Sequence, residues 1–190
     1  MPQAVTHVLI ALIAVELIRD YFIKDKKKFP LHYVLIAGIA GLLPDIDIAL
    51  YWILHWFGFT LQEVHRTFSH NLFVPVAFLL LAGLTLKLKS RKLKSKELKK
   101  EFGKLGKHHL KIYMIFLMIF IGSFIHLLLD FLLSGNIMPF YPVSTYSIGL
   151  NFVDKLPIPL SGLAIPTLDA ILLVLWLIHE EFRHKISSFI

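Results

Sequence analysis

Five apolar runs constrain this chain more than any other feature. They lie near residues 4–23, 32–57, 71–88, 110–134 and 165–183, and each has about the 17–25 residues that an α-helix needs to cross hydrocarbon. The rest of the composition agrees. Over 190 residues the chain is 56% hydrophobic and only 17% charged, with a mean hydropathy of +0.69, whereas a soluble domain is nearer half apolar and a quarter charged. The expected fold is therefore all-α, a polytopic transmembrane bundle of about five helices forming one integral membrane domain over residues 1–190. The first run has no basic segment before it and no small-residue cleavage site, so it is expected to stay in the mature protein. There is no internal repeat, and with no cysteine any metal must be held by His, Asp, Glu or backbone oxygen.

The basic residues set the expected topology. Lys24, Lys26, Lys27 and Lys28 follow the first run. Eleven Lys and Arg residues fill 87–111, and Arg183 and Lys185 follow the last run. With five crossings these three regions share one side. The other side carries only Arg66 and Lys155. Cytoplasmic loops hold the excess of Lys and Arg, which predicts an external N-terminus and a cytoplasmic C-terminus. The basic loop 87–111 reads as a topology signal, with anionic head groups as a further partner. A single aromatic, Phe102, interleaves with its lysines, too few for a base-stacking platform, so no nucleic acid is expected as a partner.

Four short polar motifs interrupt the apolar sequence: Thr6-His7, Pro44-Asp45-Ile46-Asp47, His65-Arg66-Thr67-Phe68-Ser69-His70 and His126-Leu127-Leu128-Leu129-Asp130. Imidazole and carboxylate are costly in a membrane unless they meet a partner, a cavity or a metal, and both are ligands that suit zinc. At a rise of ~1.5 Å per residue, His7 lies roughly 25 Å from the inner face, Asp45 and Asp47 roughly 25–29 Å, and His126 and Asp130 roughly 22–29 Å. His65 and His70 fall in the outer loop and at the mouth of the third helix. The motifs thus reach one depth, near the outer interface. His126 and Asp130 are i, i+4 and share a helix face. Asp45 with Asp47, and His65 with His70, diverge by ~200° and ~140° on a regular helix. Each of those pairs needs irregular backbone to converge, and Pro44 supplies a break in the second run. The bland reading is a buried His–Asp network that pins the bundle by hydrogen bonds.

Other polar segments are set aside. His179-Glu180-Glu181-Phe182-Arg183-His184 has one residue too many for the HExxH of zinc peptidases and is expected to be a solvated helix end. His32, His55, His108 and His109 are assigned to no site. Tyr51, Trp52 and Trp56 read as an outer aromatic belt. Leu160-Ser161-Gly162 and the prolines at 157, 159 and 166 read as an ordered outer loop. Met138-Pro139-Phe140-Tyr141-Pro142 is a candidate roof over the site, and Ser69 or Asn71 a candidate cap for the third helix.

Taken in order, these motifs resemble the YdjM-like family of membrane-bound metal-dependent hydrolases. Its pattern is an N-terminal His, PDxD, HRGxTHS, then HxxxD followed by a turn and a Pro-containing segment. Here it reads His7, Pro44-Asp45-Ile46-Asp47, His65 to Asn71, His126 to Asp130, and Gly135 to Pro142. The family is distantly similar to the zinc-dependent phospholipase C and single-strand nuclease superfamily. That similarity implies a phospholipase C-like helical core, with His7, Asp45 or Asp47, His65 or His70, His126 and Asp130 as metal ligands and Asp130 as a bridge. Thr67 replaces the family glycine, Asn71 its Ser, and Leu132-Leu133-Ser134 the usual Thr after HxxxD. The later His and Glu ligands of the soluble enzymes have no counterpart, so one or two ions are expected, with zinc as the metal.

The functional expectation is a metal-dependent hydrolase, a phosphoesterase that acts on a lipid or lipid-linked substrate at the outer interface through an activated water. Asp130 or Asp45 is expected to orient that water or take its proton. Arg66 is the candidate for gripping phosphate, since its guanidinium fork matches phosphate oxygens. A lipid phosphatase with a histidine nucleophile is a second reading, but its Lys/Arg-rich phosphate motif is missing on the outer side. A non-enzymatic metal-binding or transport protein is a third, and it would want repeated halves.

Overall fold

A computed structural model describes residues 4–65, 67–90 and 110–185. The basic loop between residues 90 and 110, and Arg66, lie outside the described residues. Among those described, the regular structure is helical, with an isolated bridge from Ile137 to Ile148 outside the helices. The helices are α1 Ala4–Leu17, α2 Leu31–Ala40, α3 Ile46–Leu54, α4 Leu61–Val64, α5 Phe73–Ser90, α6 Ile112–Leu132 and α7 Leu160–His184. One turn of π-helix, Ile18–Phe22, extends α1.

Two helices, Ile112–Leu132 and Leu160–His184, are long and apolar enough to cross a membrane. The second expected run does not form one such helix. It divides into α2 and α3, with the chain turning through 41–45 at Pro44. Proline has no N–H for the helical ladder and its ring clashes with the preceding turn. The last run also differs from expectation. Leu160-Ser161-Gly162 and Pro166 are not loop but the opening turns of α7. α7 leaves Leu163, Ile171, Val174, Leu175 and Leu177 exposed, an apolar face of the kind that meets lipid or a partner.

α6 is the centre of the packing, against α1, α2 and α5, and α1 also carries α7. The core toward the basic end joins Val15 of α1, Phe29, Tyr33, Val34 and Ala37 around α2, and Met118 of α6. Further along, α2 and α6 approach closely because small residues face one another. A Cβ placed on Gly122 would lie 2.3 Å from the Ala37 carbonyl oxygen and 2.8 Å from the Ala40 Cβ. Small residues at helix interfaces let backbones approach in this way. Gly122 is one turn before His126, so this contact sets how far the His126 ring reaches past α2.

Candidate metal centre

The site is built where α1, the α2–α3 turn, the loop before α5 and the C-terminal half of α6 meet. His7 sits in the first turns of α1 and is buried. Asp45 immediately precedes α3 and Asp47 is its second residue. His65 and His70 flank the irregular segment between α4 and α5, while His126 and Asp130 stack on α6. The turn at Gly41 makes the approach possible: a Cβ there would lie 2.8 Å from the His7 carbonyl oxygen. Gly41 turns its own carbonyl to His126, whose Nδ1 lies 2.7 Å away.

Four atoms form a tight polyhedron. From His70 Nε2 the distances are 3.2 Å to His126 Nε2, 3.4 Å to Asp45 Oδ1 and 3.6 Å to Asp130 Oδ2. From His126 Nε2 they are 3.6 Å to Asp45 Oδ1 and 3.5 Å to Asp130 Oδ2. These are five of the six edges of a tetrahedron. Ligands bound at 2.0–2.1 Å with tetrahedral angles stand about 3.3–3.4 Å apart. His70, His126 and Asp130, whose ligand atoms lie mutually within 4.8 Å, therefore fit a zinc-like ion, and Asp45, 3.4–3.6 Å from the two imidazoles, is the further donor beside them.

The tautomers support the same reading. His126 Nδ1 donates to the Gly41 carbonyl, and His70 Nδ1 donates to Asp47 Oδ2 over 3.0 Å. In the neutral rings each Nε2 is then a bare acceptor. Two buried acceptors 3.2 Å apart need a proton or a cation between them or beside them. With no metal, a proton serves. Burial works against charge on His70, but hydrogen bonds to Asp45 and Asp47 outweigh it and push its pKa up to about 9.

Asp45 and Asp47, alternatives in the sequence, take different places. Asp45 is in the polyhedron and, with 23% of its side chain exposed, forms the open edge of the site. Asp47 stands behind it. Its Oδ1 accepts from His65 Nδ1 at 2.9 Å, and its Oδ2 accepts from His70 Nδ1 at 3.0 Å and Ser69 Oγ at 2.8 Å. A carboxylate on the far nitrogen of a ligating His fixes ring orientation and tautomer. His70 is likewise in the polyhedron, whereas His65 reaches it through Asp47. Ligand atoms of Asp45, His65 and His70 nevertheless lie within 4.8 Å of one another, as do those of His7, Asp45 and His126. The His65 Nε2 is buried with no hydrogen-bond partner among the described residues. His7 stacks on His126 with ring centroids 3.7 Å apart, and its Nε2 lies 3.5 Å from Asp130 Oδ1. Asp130 thus presents one oxygen to His7 and the other to His70 and His126, the disposition of a bridging carboxylate.

The surroundings sort the remaining expectations. Asn71 is the residue that caps α5, accepting from Val74 N at 3.2 Å, while Ser69 serves Asp47. The 138–142 segment lies on the loop that carries His70: Leu72 N donates to the Pro139 carbonyl at 2.9 Å, and Tyr141 meets Phe68 edge-on at 5.1 Å. Trp52 and Trp56 are exposed. Arg66 falls outside the described residues. Sequence reasoning missed Asp169, a buried carboxylate of α7 whose Oδ1 accepts from Thr6 Oγ1, next to His7. The available signal was a lone Asp inside the apolar part of α7. The expectation for 179–184 is corrected. This end of α7 is solvated on one face, where Phe182 and Arg183 are exposed, but on the other His179 and His184 both reach the Asp20 carboxylate of the extended α1, at 3.2 Å each.

A family model described as YdjM inner membrane protein matches residues 1–185, and the chain belongs to that family. No curated protein matches, and no solved structure does. With two helices of spanning length, membership points to a membrane location.

Proposed function

From membership of this inner membrane family, we propose that the chain is a membrane-embedded metal-dependent hydrolase, a phosphoesterase for a lipid or lipid-linked substrate. The observation that carries the proposal is the set of 3.2–3.6 Å separations among His70, His126, Asp45 and Asp130. One ion, zinc by the donor set, is held by those four residues. His7, or His65 with Asp45, offers ligands for a second. Such an ion, when bound, supplies a water of lowered pKa and polarises a phosphoryl oxygen.

The chain's own residues do the rest. Asp47 and Gly41 fix the tautomers of His70 and His126. Asp45, at the open edge, is positioned to orient a water or take its proton. Arg66, read from the sequence alone, is the phosphate grip. We further read the protein as multi-pass, with its N-terminus outside and the site near the outer face, from the clustering of basic residues. The exposed Trp52 and Trp56 suit that interface. A helical core like that of the zinc-dependent phospholipases is part of the same proposal.

Elemental analysis of the purified protein tests the metal. We expect bound metal in the wild-type chain and its loss from this centre in a His126→Ala, Asp130→Ala double variant. Release of phosphate from a panel of lipid phosphoesters should follow metal content. Activity that survives complete chelation would turn the assignment to a histidine nucleophile, and metal with no hydrolysis across the panel would leave a binding protein.

A further inference from the structure

A second group of metal-ligating side chains lies at the other end of α1. Glu16 and Asp20 come from α1 and its π-helical turn, and His179 and His184 from the end of α7. Thirteen residues separate Asp20 from His7, about 20 Å along a helix, so the two groups are independent. A π turn inside an α-helix is frequently found at functional sites, and here it contains Asp20.

The distances are those of a ligand shell. Asp20 Oδ2 lies 3.2 Å from His179 Nε2 and 3.2 Å from His184 Nε2, and Glu16 Oε1 lies 3.8 Å from His184 Nε2. Two atoms bound to one ion at 2.0–2.1 Å stand at most about 4.2 Å apart, and all three separations are shorter. One ligand atom each from Glu16, Asp20 and His184 lie mutually within 4.8 Å.

Charge and burial add a second, separate observation. The Glu16 side chain is 2% exposed, and the hydrogen bond from Trp176 Nε1 serves only its Oε2, at 3.0 Å. Its Oε1 faces His184 beyond hydrogen-bond distance. Glu180 also comes within hydrogen-bonding reach of Glu16, so two carboxylates crowd one buried place. The nearby cations do not relieve this. Arg19 and Lys26 pair with the other oxygen of Asp20, Oδ1, at 2.8 and 3.1 Å. The buried Glu16–Glu180 pair needs a proton or a cation to offset its charge, and a cation between Glu16 Oε1, Asp20 Oδ2 and His184 Nε2 supplies it.

We propose that Glu16, Asp20 and His184, with His179 hydrogen-bonded to Asp20 beside them, form a second metal site, for a divalent transition ion, that joins the end of α7 to α1. An imidazole beside two carboxylates suits zinc and its neighbours better than magnesium or calcium. The ion cross-links two helices that are far apart in sequence.

The test uses the full-length protein in detergent, stripped of metal and reloaded with Zn2+ or Co2+ alone. The His126→Ala, Asp130→Ala variant should retain one tightly bound equivalent. Adding Asp20→Asn and His184→Gln should remove it. The wild-type chain gives an independent readout, because His184 is partly exposed and open to diethyl pyrocarbonate, with modification read by mass spectrometry. Zinc at ten times its Kd should slow modification of His184 about tenfold. That protection should persist in the His126→Ala, Asp130→Ala variant and disappear in Asp20→Asn. If zinc leaves the His184 rate unchanged in the wild-type chain, or stoichiometry is the same with Asp20 and His184 replaced, the cluster is a hydrogen-bonded clamp and the proposal falls. Either result leaves the outer centre to be judged separately by its own variant.

Discussion

Replacing Asp47 by Asn probes the distinction between holding a metal and holding its ligand. The change keeps the shape of the side chain and removes its charge. Among the described residues Asp47 accepts hydrogen bonds at Oδ2 from His70 and Ser69 and at Oδ1 from His65. An amide offers only one acceptor oxygen. The less costly orientation keeps that oxygen on His70 and Ser69 and turns the NH2 toward His65 Nδ1, which must then give up its proton or move. Hydrogen bonds to a charged group contribute about 1.5–3 kcal/mol each, and the bond to His70 survives in a weaker, neutral form. Loss of such a supporting carboxylate lowers metal affinity about 10–100-fold, or roughly 1.4–2.7 kcal/mol. Stoichiometry should stay the same. Asp45→Asn, which alters a corner of the polyhedron, should cost more. The measurement is a Co2+ or Zn2+ titration of metal-free protein, with far-UV circular dichroism to confirm the fold. A result near tenfold means His65 only buttresses Asp47, and one near a hundredfold means His65 also contributes to binding. If Asp47→Asn abolishes binding in a folded protein while Asp45→Asn is the milder change, the roles assigned to the two carboxylates are reversed and the reasoning fails.

Two further outcomes follow from the same geometry. Gly122→Ala drives a methyl against the Ala37 carbonyl, 2.3 Å from where its Cβ would stand. It should cost about 1–3 kcal/mol, lower the Tm by roughly 2–12 °C, and weaken metal binding by pushing His126 away from α2. An unchanged melting curve with intact metal affinity would show that the helix contact does not set the ring. The pH dependence turns on His70. Its pKa in the folded, metal-free chain is pushed up to about 9, above the ~6.5 of an unfolded histidine. The stability it confers is therefore complete below about pH 6.5 and is lost as pH rises through about 9. Metal binding must expel that proton, so affinity should weaken about tenfold for each pH unit below 9. Thermal melts of stripped protein at pH 6 and pH 10, and zinc titrations between pH 6 and 8, check both signs. A flat response in either would remove His70 from the ligand set.

What could be read ahead of the structure depended on whether a feature is fixed by one helix or by two. Helix rise, counted from the basic segments, put His7, Asp45, Asp47, His126 and Asp130 at comparable distances from those segments, and the structure brings these residues together despite the break at 41–45. The i, i+4 spacing of His126 and Asp130 survives unchanged because α6 is regular there. The division between Asp45 and Asp47 was out of reach. It depends on the path from Gly41 to Asp45 after α2 stops, and a one-residue shift of that path would exchange the two carboxylates. Spacing rules failed outright at His179 and His184. On an ideal helix i, i+5 side chains diverge by ~140°, which argued against a shared partner. The partner, Asp20, comes from another helix, through a π turn, and can be reached from two directions. Asp169 escaped for the same reason, since its hydrogen bond to Thr6 spans 163 residues. An isolated acid in an apolar helix says that something must meet it, but only the packing of α1 against α7 says what. In a chain this apolar, each unexplained buried charge is thus a long-range contact waiting to be identified. Here three such residues in the α1 and α7 regions, Glu16, Asp20 and Asp169, all resolve to contacts between the same two helices.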